Sequence, residues 1–188
     1  YLDKEVITEQ QVNLYPNEFI MLVSSSNEKK TALARFECYT KPLKHVRDMK
    51  NEIMWGVLPR NKEQSFAFDL LFDNDVPLVS LIGKAGSGKT LMAIAAGLEQ
   101  TLGIKEGQYR RIIISRPVQP LGKDIGFLPG TMQDKMMPWL KPIQDNIQHI
   151  MGDDRTMLAS YVERGKIEVE ALTYIRGRSI SNAFVIID

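Results

Sequence analysis

The stretch Gly83-Lys84-Ala85-Gly86-Ser87-Gly88-Lys89-Thr90 constrains this chain more than any other, because its chemistry works in one structural setting. Glycines at 83, 86 and 88 permit backbone angles that residues with a Cβ resist, so successive N–H groups can turn inward on an anion. The pattern G-x-x-x-x-G-K-[ST] needs a buried strand before it and a helix after it. Val79 to Ile82 supply a short apolar run, and Leu91, Ile94, Ala95 and Leu98 recur at the i, i+3, i+4, i+7 spacing of a helix face. A helix N-terminus adds further N–H groups and a favourable dipole, and Lys89 adds a full positive charge for the β and γ phosphates. Thr90 offers its hydroxyl to Mg²⁺. We therefore expect a nucleoside triphosphate to be cradled over Gly83, Ala85, Gly86, Ser87, Gly88, Lys89, Thr90 and Leu91. Lys84 reads either as a solvated loop lysine or as one more phosphate contact, the first being the plainer account.

A chain of 188 residues can bury one sizeable core with a small accessory piece beside it, and two large domains would not fit. The formal net charge of +1 excludes a strongly basic protein that coats nucleic acid, while leaving room for a local basic track. Cys38 is the single cysteine and can form no internal disulfide; no leader-like segment or long uncharged apolar stretch is evident. A cytoplasmic setting without a membrane partner is expected. His45 and His149 read as plain surface residues, with no cluster suited to zinc. The chain opens on Tyr1 and stops on Asp188 inside an apolar run, so it reads as a piece of a longer protein.

Residues 1–54 show no helical period and read as a small β-rich accessory segment, with residues 55–188 as the core. Phe19 to Val23 and Thr31 to Tyr39 suit a β-hairpin across the polar turn from Ser24 to Lys30. Lys41, Lys44, Arg47 and Lys50 form a basic segment, for which a solvated linker is a commoner explanation than a polyanion contact. Phe66, Leu70 and Leu71 mark a helix that ends near Asp73. After the glycine-rich loop and its helix, Ile112 to Ile114 read as a second buried strand and Pro120 to Thr131 as an ordered loop. Met132, Met136, Met137 and Trp139 could be read as a binding stripe, though core or subunit packing is the commoner account at these spacings. A short helix carrying Ile143, Ile147 and Ile150 is expected after Pro142, and another from Asp154 to Arg164, closed by Gly165. Lys166 to Glu170 and Ala183 to Ile187 complete the strands. This alternation predicts an α/β fold with a mostly parallel sheet.

Asp188 follows the apolar strand Phe184-Val185-Ile186-Ile187, as a Walker B aspartate does when it emerges beside a phosphate loop to hold Mg²⁺. A turn residue facing solvent is the alternative. Gln64 precedes the first core strand in Pro59-Arg60-Asn61-x-x-Gln64; its amide can donate to and accept from adenine at once, which would favour ATP over GTP. A surface glutamine on a helix fits the spacing equally well.

The strings LPRNKEQ, GKAGSGKT, SRPVQPLGKDIGFLPG, Tyr174-Ile175-Arg176-Gly177-Arg178 and FVIID together resemble those of PhoH-like ATPases, over roughly Trp55 to Asp188. The resemblance implies a RecA-like P-loop NTPase core related to superfamily-1 helicases, with ATP and Mg as cofactors and a link to RNA metabolism. By it, Gln64 matches the adenine-reading glutamine, Lys89 and Thr90 the phosphate and Mg²⁺ residues, and Asp188 the Walker B aspartate. In that family an acidic residue follows the aspartate and activates water, a position beyond this chain's last residue. Such cores also place a later strand between the phosphate-loop strand and the Walker B strand, which predicts a gap between Val79 to Ile82 and Ala183 to Ile187. Some relatives carry an N-terminal PIN nuclease domain; the first part of this chain is too short for one and lacks a carboxylate cluster.

Ser115 and Arg116 stand where related helicases contact the nucleic-acid backbone, and a hydroxyl with a guanidinium suits phosphate oxygens. Arg176 and Arg178 flank a glycine and fit nucleic-acid binding, a charge-stabilising role in a neighbouring subunit's site, or ordinary salt bridges. The leading expectation is a Mg²⁺-dependent ATPase acting on RNA or another single-stranded nucleic acid as a homo-oligomer, with Lys89 and Asp188 as its catalytic residues. A small-molecule kinase and a nucleotide-binding scaffold with little hydrolysis are the alternatives.

Overall fold

The computed structural model describes residues 13–47, 55–103, 107–117 and 132–188, with the backbone alone over 132–136. Two compact units result: Tyr1–Glu52 with Pro59–Leu70, and Ile53–Leu58 with Leu71–Asp188.

In the first unit β1 (Glu18–Ser24) and β2 (Asn27–Phe36) form the expected antiparallel hairpin, with Phe19 opposite Arg35 and Val23 opposite Thr31. Its connection is shorter than the polar run from Ser24 to Lys30 suggested, because Asn27 to Lys30 belong to β2. Polar side chains on a wet arm do not prevent the ladder from satisfying peptide groups. A two-residue β3 (Lys44–His45) pairs with the far edge of β2. Helix α1 (Lys62–Leu71) lies after these strands in sequence yet groups with them. Phe19 stacks on Phe66 with ring centroids 4.2 Å apart. The Arg35 guanidinium, 0% exposed, lies 3.4 Å from the Asp69 carboxylate, which also accepts a hydrogen bond from Arg47 N.

The second unit is built on a wholly parallel sheet in the order β5-β4-β6, comprising β4 (Arg111–Arg116), β5 (Ile167–Ala171) and β6 (Ala183–Ile187). Ile112 stands opposite Ile167 on one side and Phe184 on the other. Helices α2 (Lys89–Leu102), α3 (Met132–Ile150), α4 (Arg155–Glu163) and α5 (Leu172–Ile175) accompany the strands. Ile94, Leu98, Ile112, Ile113, Ile114, Ile143, Ile147 and Ile167 are fully buried, and each such side chain contributes roughly 1.5–3 kcal/mol. This is the α/β class that the strand and helix pattern predicts.

The close approach of α2 to the sheet depends on Gly97. A Cβ there would sit 2.5 Å from Ile112 Cδ1 and 2.8 Å from Phe184 Cδ1. A mid-helix glycine costs helix propensity, and here it admits the sheet's side chains against the helix backbone. Helix α4 matches its expectation: Asp154 accepts from Met157 N, and Gly165 takes a φ of 64° just beyond the end.

Two expectations need correction. Helix α3 does not wait for Pro142; it begins at Met132 and contains both Pro138 and Pro142. Leu140, Ile143, Ile147 and Ile150 form one buried stripe, and packing of that stripe overrides the local cost of proline. Val79 to Ile82, read as a strand, carry no strand. Leu78 is 84% and Ile82 96% exposed. A strand requires a neighbour's peptide groups, and β6 does not supply them: a cleft of about 670 Å³ lies between this segment and β6, lined by Leu78, Val79, Ile82, Val185 and Ile187 among others. The gap foreseen between these two segments is therefore present. The expected loop from Pro120 to Thr131, Lys50, and the side chains of Met132 and Met136 lie outside the described residues.

Candidate nucleotide site

The phosphate loop is shaped by two glycines in the left-handed region, Gly86 at φ 77° and Gly88 at φ 87°. Gly88 is the N-cap of α2 and has no side chain to close it, so the first N–H groups of the helix keep their capacity for an anion. Ser87 N donates to Lys84 O at 3.3 Å, which folds the loop over the helix start. Lys89 Nζ donates to the carbonyls of Gly83 and Lys84, both at 2.9 Å. Sequence reasoning missed these two acceptors, since backbone carbonyls leave no trace in residue identity. They curl the lysine along the same loop whose N–H groups suit phosphate. An arriving phosphate would substitute two anionic oxygens for two neutral ones, and hydrogen bonds to charged partners are about twice as strong.

Opposite the loop, Thr90 Oγ1 donates to Asp188 Oδ1. Residues 98 positions apart are thus joined by the start of α2 and the end of β6. The ladder explains why Asp188 arrives there. Ser115 pairs with Ile187, and Asp188 N continues the pairing by donating to Ser115 O at 2.9 Å. Arg116 Nη1 lies 3.8 Å from the other carboxylate oxygen of Asp188. Hydroxyl and carboxylate are hard oxygen donors, so this pair has the chemistry that Mg²⁺ takes alongside its waters.

The remaining candidates are distributed differently. Ser115 is 0% exposed, and it is its carbonyl that serves the Asp188 strand end. Arg178 donates to Glu170 at 2.6 Å and Glu168 at 3.0 Å, and these two carboxylates raise its already high pKa, Glu168 foremost. Glu168 is shared with Arg111, 2.7 Å away. Arg176 terminates α5 and is exposed. Gln64 stands in the first turn of α1 in the first unit: its N–H donates to Asn61 Oδ1 at 2.9 Å, and its Oε1 accepts from Arg60 N at 2.7 Å. That reciprocal arrangement closes the helix start much as a capping box does, which gives Gln64 a structural task whatever else it binds. Ala85 is exposed and Leu91 half-buried on α2. Among the described residues no group of three or more His, Cys, Asp or Glu is placed to hold a metal, and no helix is long and apolar enough to cross a membrane.

Comparison with known proteins identifies the surroundings of this site. The family described as PhoH-like protein matches residues 56–188. Protein PhoH2 of Bacillus subtilis is 43% identical over 184 residues, covering 95% of this chain and 40% of that relative. Protein PhoH2 of Thermobispora bispora is 40% identical over 149 residues, covering 78% of this chain and 33% of the relative. A PhoH-like protein of Synechocystis is 40% identical over 107 residues, covering 57% of this chain and 31% of the relative. The chain spans less than half the length of these curated relatives. With its glycine-rich loop at the start of α2 and its parallel sheet, the chain belongs to the PhoH-like family of P-loop NTPases.

Proposed function

We propose that this chain carries the nucleotide-binding part of a Mg²⁺-dependent ATPase that acts on RNA or another single-stranded nucleic acid. The observation that carries the proposal is the junction of Thr90 with Asp188 beside the Lys89 loop. Their donor chemistry fits Mg²⁺, which when bound supplies charge neutralisation between the β and γ phosphates. On this reading the N–H groups of Gly83, Ala85, Gly86, Ser87 and Gly88, with Thr90 and Leu91 at the helix start, surround the phosphates. Lys89 turns from the Gly83 and Lys84 carbonyls onto phosphate oxygens. Asp188 would hold the metal together with Thr90. Preference for adenine rests on the resemblance alone, in which Gln64 matches the adenine-reading glutamine.

Residues 55–188 serve as the ATPase part and residues 1–54 as its accessory segment, in a cytoplasmic, oligomeric protein. Arg176 is the better placed of the two arginines to meet nucleic acid or a neighbouring subunit's nucleotide, since Arg178 is engaged by two carboxylates. The test is phosphate release by the full-length protein with and without single-stranded RNA. Hydrolysis stimulated by RNA is expected; absence of hydrolysis removes the enzymatic reading, and hydrolysis indifferent to every nucleic acid removes the partner. Rapid ATP consumption only when a metabolite is added, with that metabolite phosphorylated, would identify a kinase instead.

A further inference from the structure

Arg116 was expected to face a nucleic-acid backbone, yet the register of the sheet brings it to the metal-binding side of the candidate site. Because Ser115 pairs with Ile187 and Asp188 N bonds to Ser115 O, Arg116 and Asp188 end two adjacent parallel strands side by side. Backbone pairing therefore makes the two residues neighbours at one end of the sheet. The Asp188 carboxylate is held at both oxygens, Oδ1 by the Thr90 hydroxyl and Oδ2 by the Arg116 guanidinium at 3.8 Å. The side chains of Asp188 and Arg116 are 24% and 40% exposed, so solvent screens the pair only in part.

We propose that Arg116 is a positioning residue for Asp188, a cation built into the chain that competes with the divalent metal for this carboxylate. The inference rests on the reading of Thr90 and Asp188 as metal-holding residues. A divalent cation on Asp188 and the Arg116 guanidinium repel each other across the carboxylate, so each weakens the other's hold on it. Arg116 thereby sets how strongly metal and nucleotide reinforce one another. Its effect is on coupling between two ligands, a quantity that a purely structural salt bridge would leave alone.

The test measures the dissociation constant of the fluorescent nucleotide mant-ADP in EDTA and in saturating Mg²⁺; the ratio of the two is the coupling factor. Arg116→Ala should raise that factor roughly three- to fivefold, the scale of a partly exposed ion pair. Arg116→Lys, which keeps the charge, should stay within about twofold of the unsubstituted protein. A factor unchanged or lowered by Arg116→Ala overturns the proposal. Asp188→Asn separates the two levels of the argument: it should bring the coupling factor close to one. If it leaves the factor intact, the metal-site reading itself has failed; if it abolishes coupling while Arg116→Ala does nothing, only the role of Arg116 is lost. Arg116 ends an otherwise buried strand with its side chain half out in solvent, so both of its variants should retain the fold.

Discussion

The two compact units solve the same problem with opposite chemistry. The second buries a run of isoleucines, from Ile112 to Ile114 on β4 and Ile143 and Ile147 on α3, and among its described residues no charged residue is buried. The first has a smaller apolar store and encloses an ion pair, Arg35 with Asp69, between β2 and α1. An apolar core tolerates imprecision and supplies stability. A buried pair costs desolvation and contributes chiefly by penalising every arrangement that separates its members. Chemistry at strand ends is free to change partners, whereas chemistry inside a small unit is committed to holding it together.

The largest effect that can test this contrast is Asp69→Ala. It removes the more deeply buried of two carboxylates beside Arg35, Glu37 at 3.5 Å being the other, and should destabilise the first unit by about 3 kcal/mol. Hydrogen exchange over β1, β2 and α1 should then accelerate. Both tryptophans, Trp55 and Trp139, belong to the second unit, so the tryptophan fluorescence melt should stay put. A melt that falls in parallel would mean that the two units unfold as one, and the comparison would break.

Lys89→Ala makes the converse change. It should lower turnover by at least about a hundredfold, the scale of losing a donor aimed at developing charge, while exchange in both units stays normal. Unchanged turnover would refute the phosphate-loop assignment. Next in size is Gly97→Leu, which drives a side chain into Ile112 and Phe184 and should cost the second unit roughly 1–3 kcal/mol by chemical denaturation. A neutral result would mean that α2 can lift off the sheet without penalty.

The smallest effect sharpens the picture of the first unit. Hydrogen bonding from Lys41, followed by Lys44, holds the Glu37 carboxyl below its usual range. A depressed folded-state pKa contributes stability above the ordinary glutamate value and loses it as pH falls through the lowered one. Exchange protection of β2 should therefore weaken in acid below roughly pH 5, and Glu37→Gln should flatten that dependence.

What the residues disclosed in advance follows a physical divide. Local chemistry was legible: the glycines of the loop, the helix face of α2, the cap of α4 and the apolar strand before Asp188 all depend on neighbours in sequence. Relations between distant segments were less so. Val79 to Ile82 have a strand's composition, but their partner is not β6, and composition cannot supply hydrogen bonds. Pro138 and Pro142 argue against a helix until the stripe from Leu140 to Ile150 is set against the rest of the unit. Ser115 and Arg116 were placed correctly at a strand end, while the partner across the ladder, Asp188, came from register alone. Gly97 was not singled out, although a glycine inside a helical pattern costs propensity and calls for a packing reason.

The cleft beside β6 has a practical consequence for anyone handling this polypeptide. Its flanks are an edge strand and an extended segment whose Ile82, Leu78 and Ile187 face water. Such a flank is adhesive toward any other extended chain, and protein edges of this kind are usually blunted by charge or proline. Sedimentation of this polypeptide should therefore show association that persists in high salt and weakens when a lysine replaces Val185. Stickiness of that origin has to be separated from native assembly before subunits are counted.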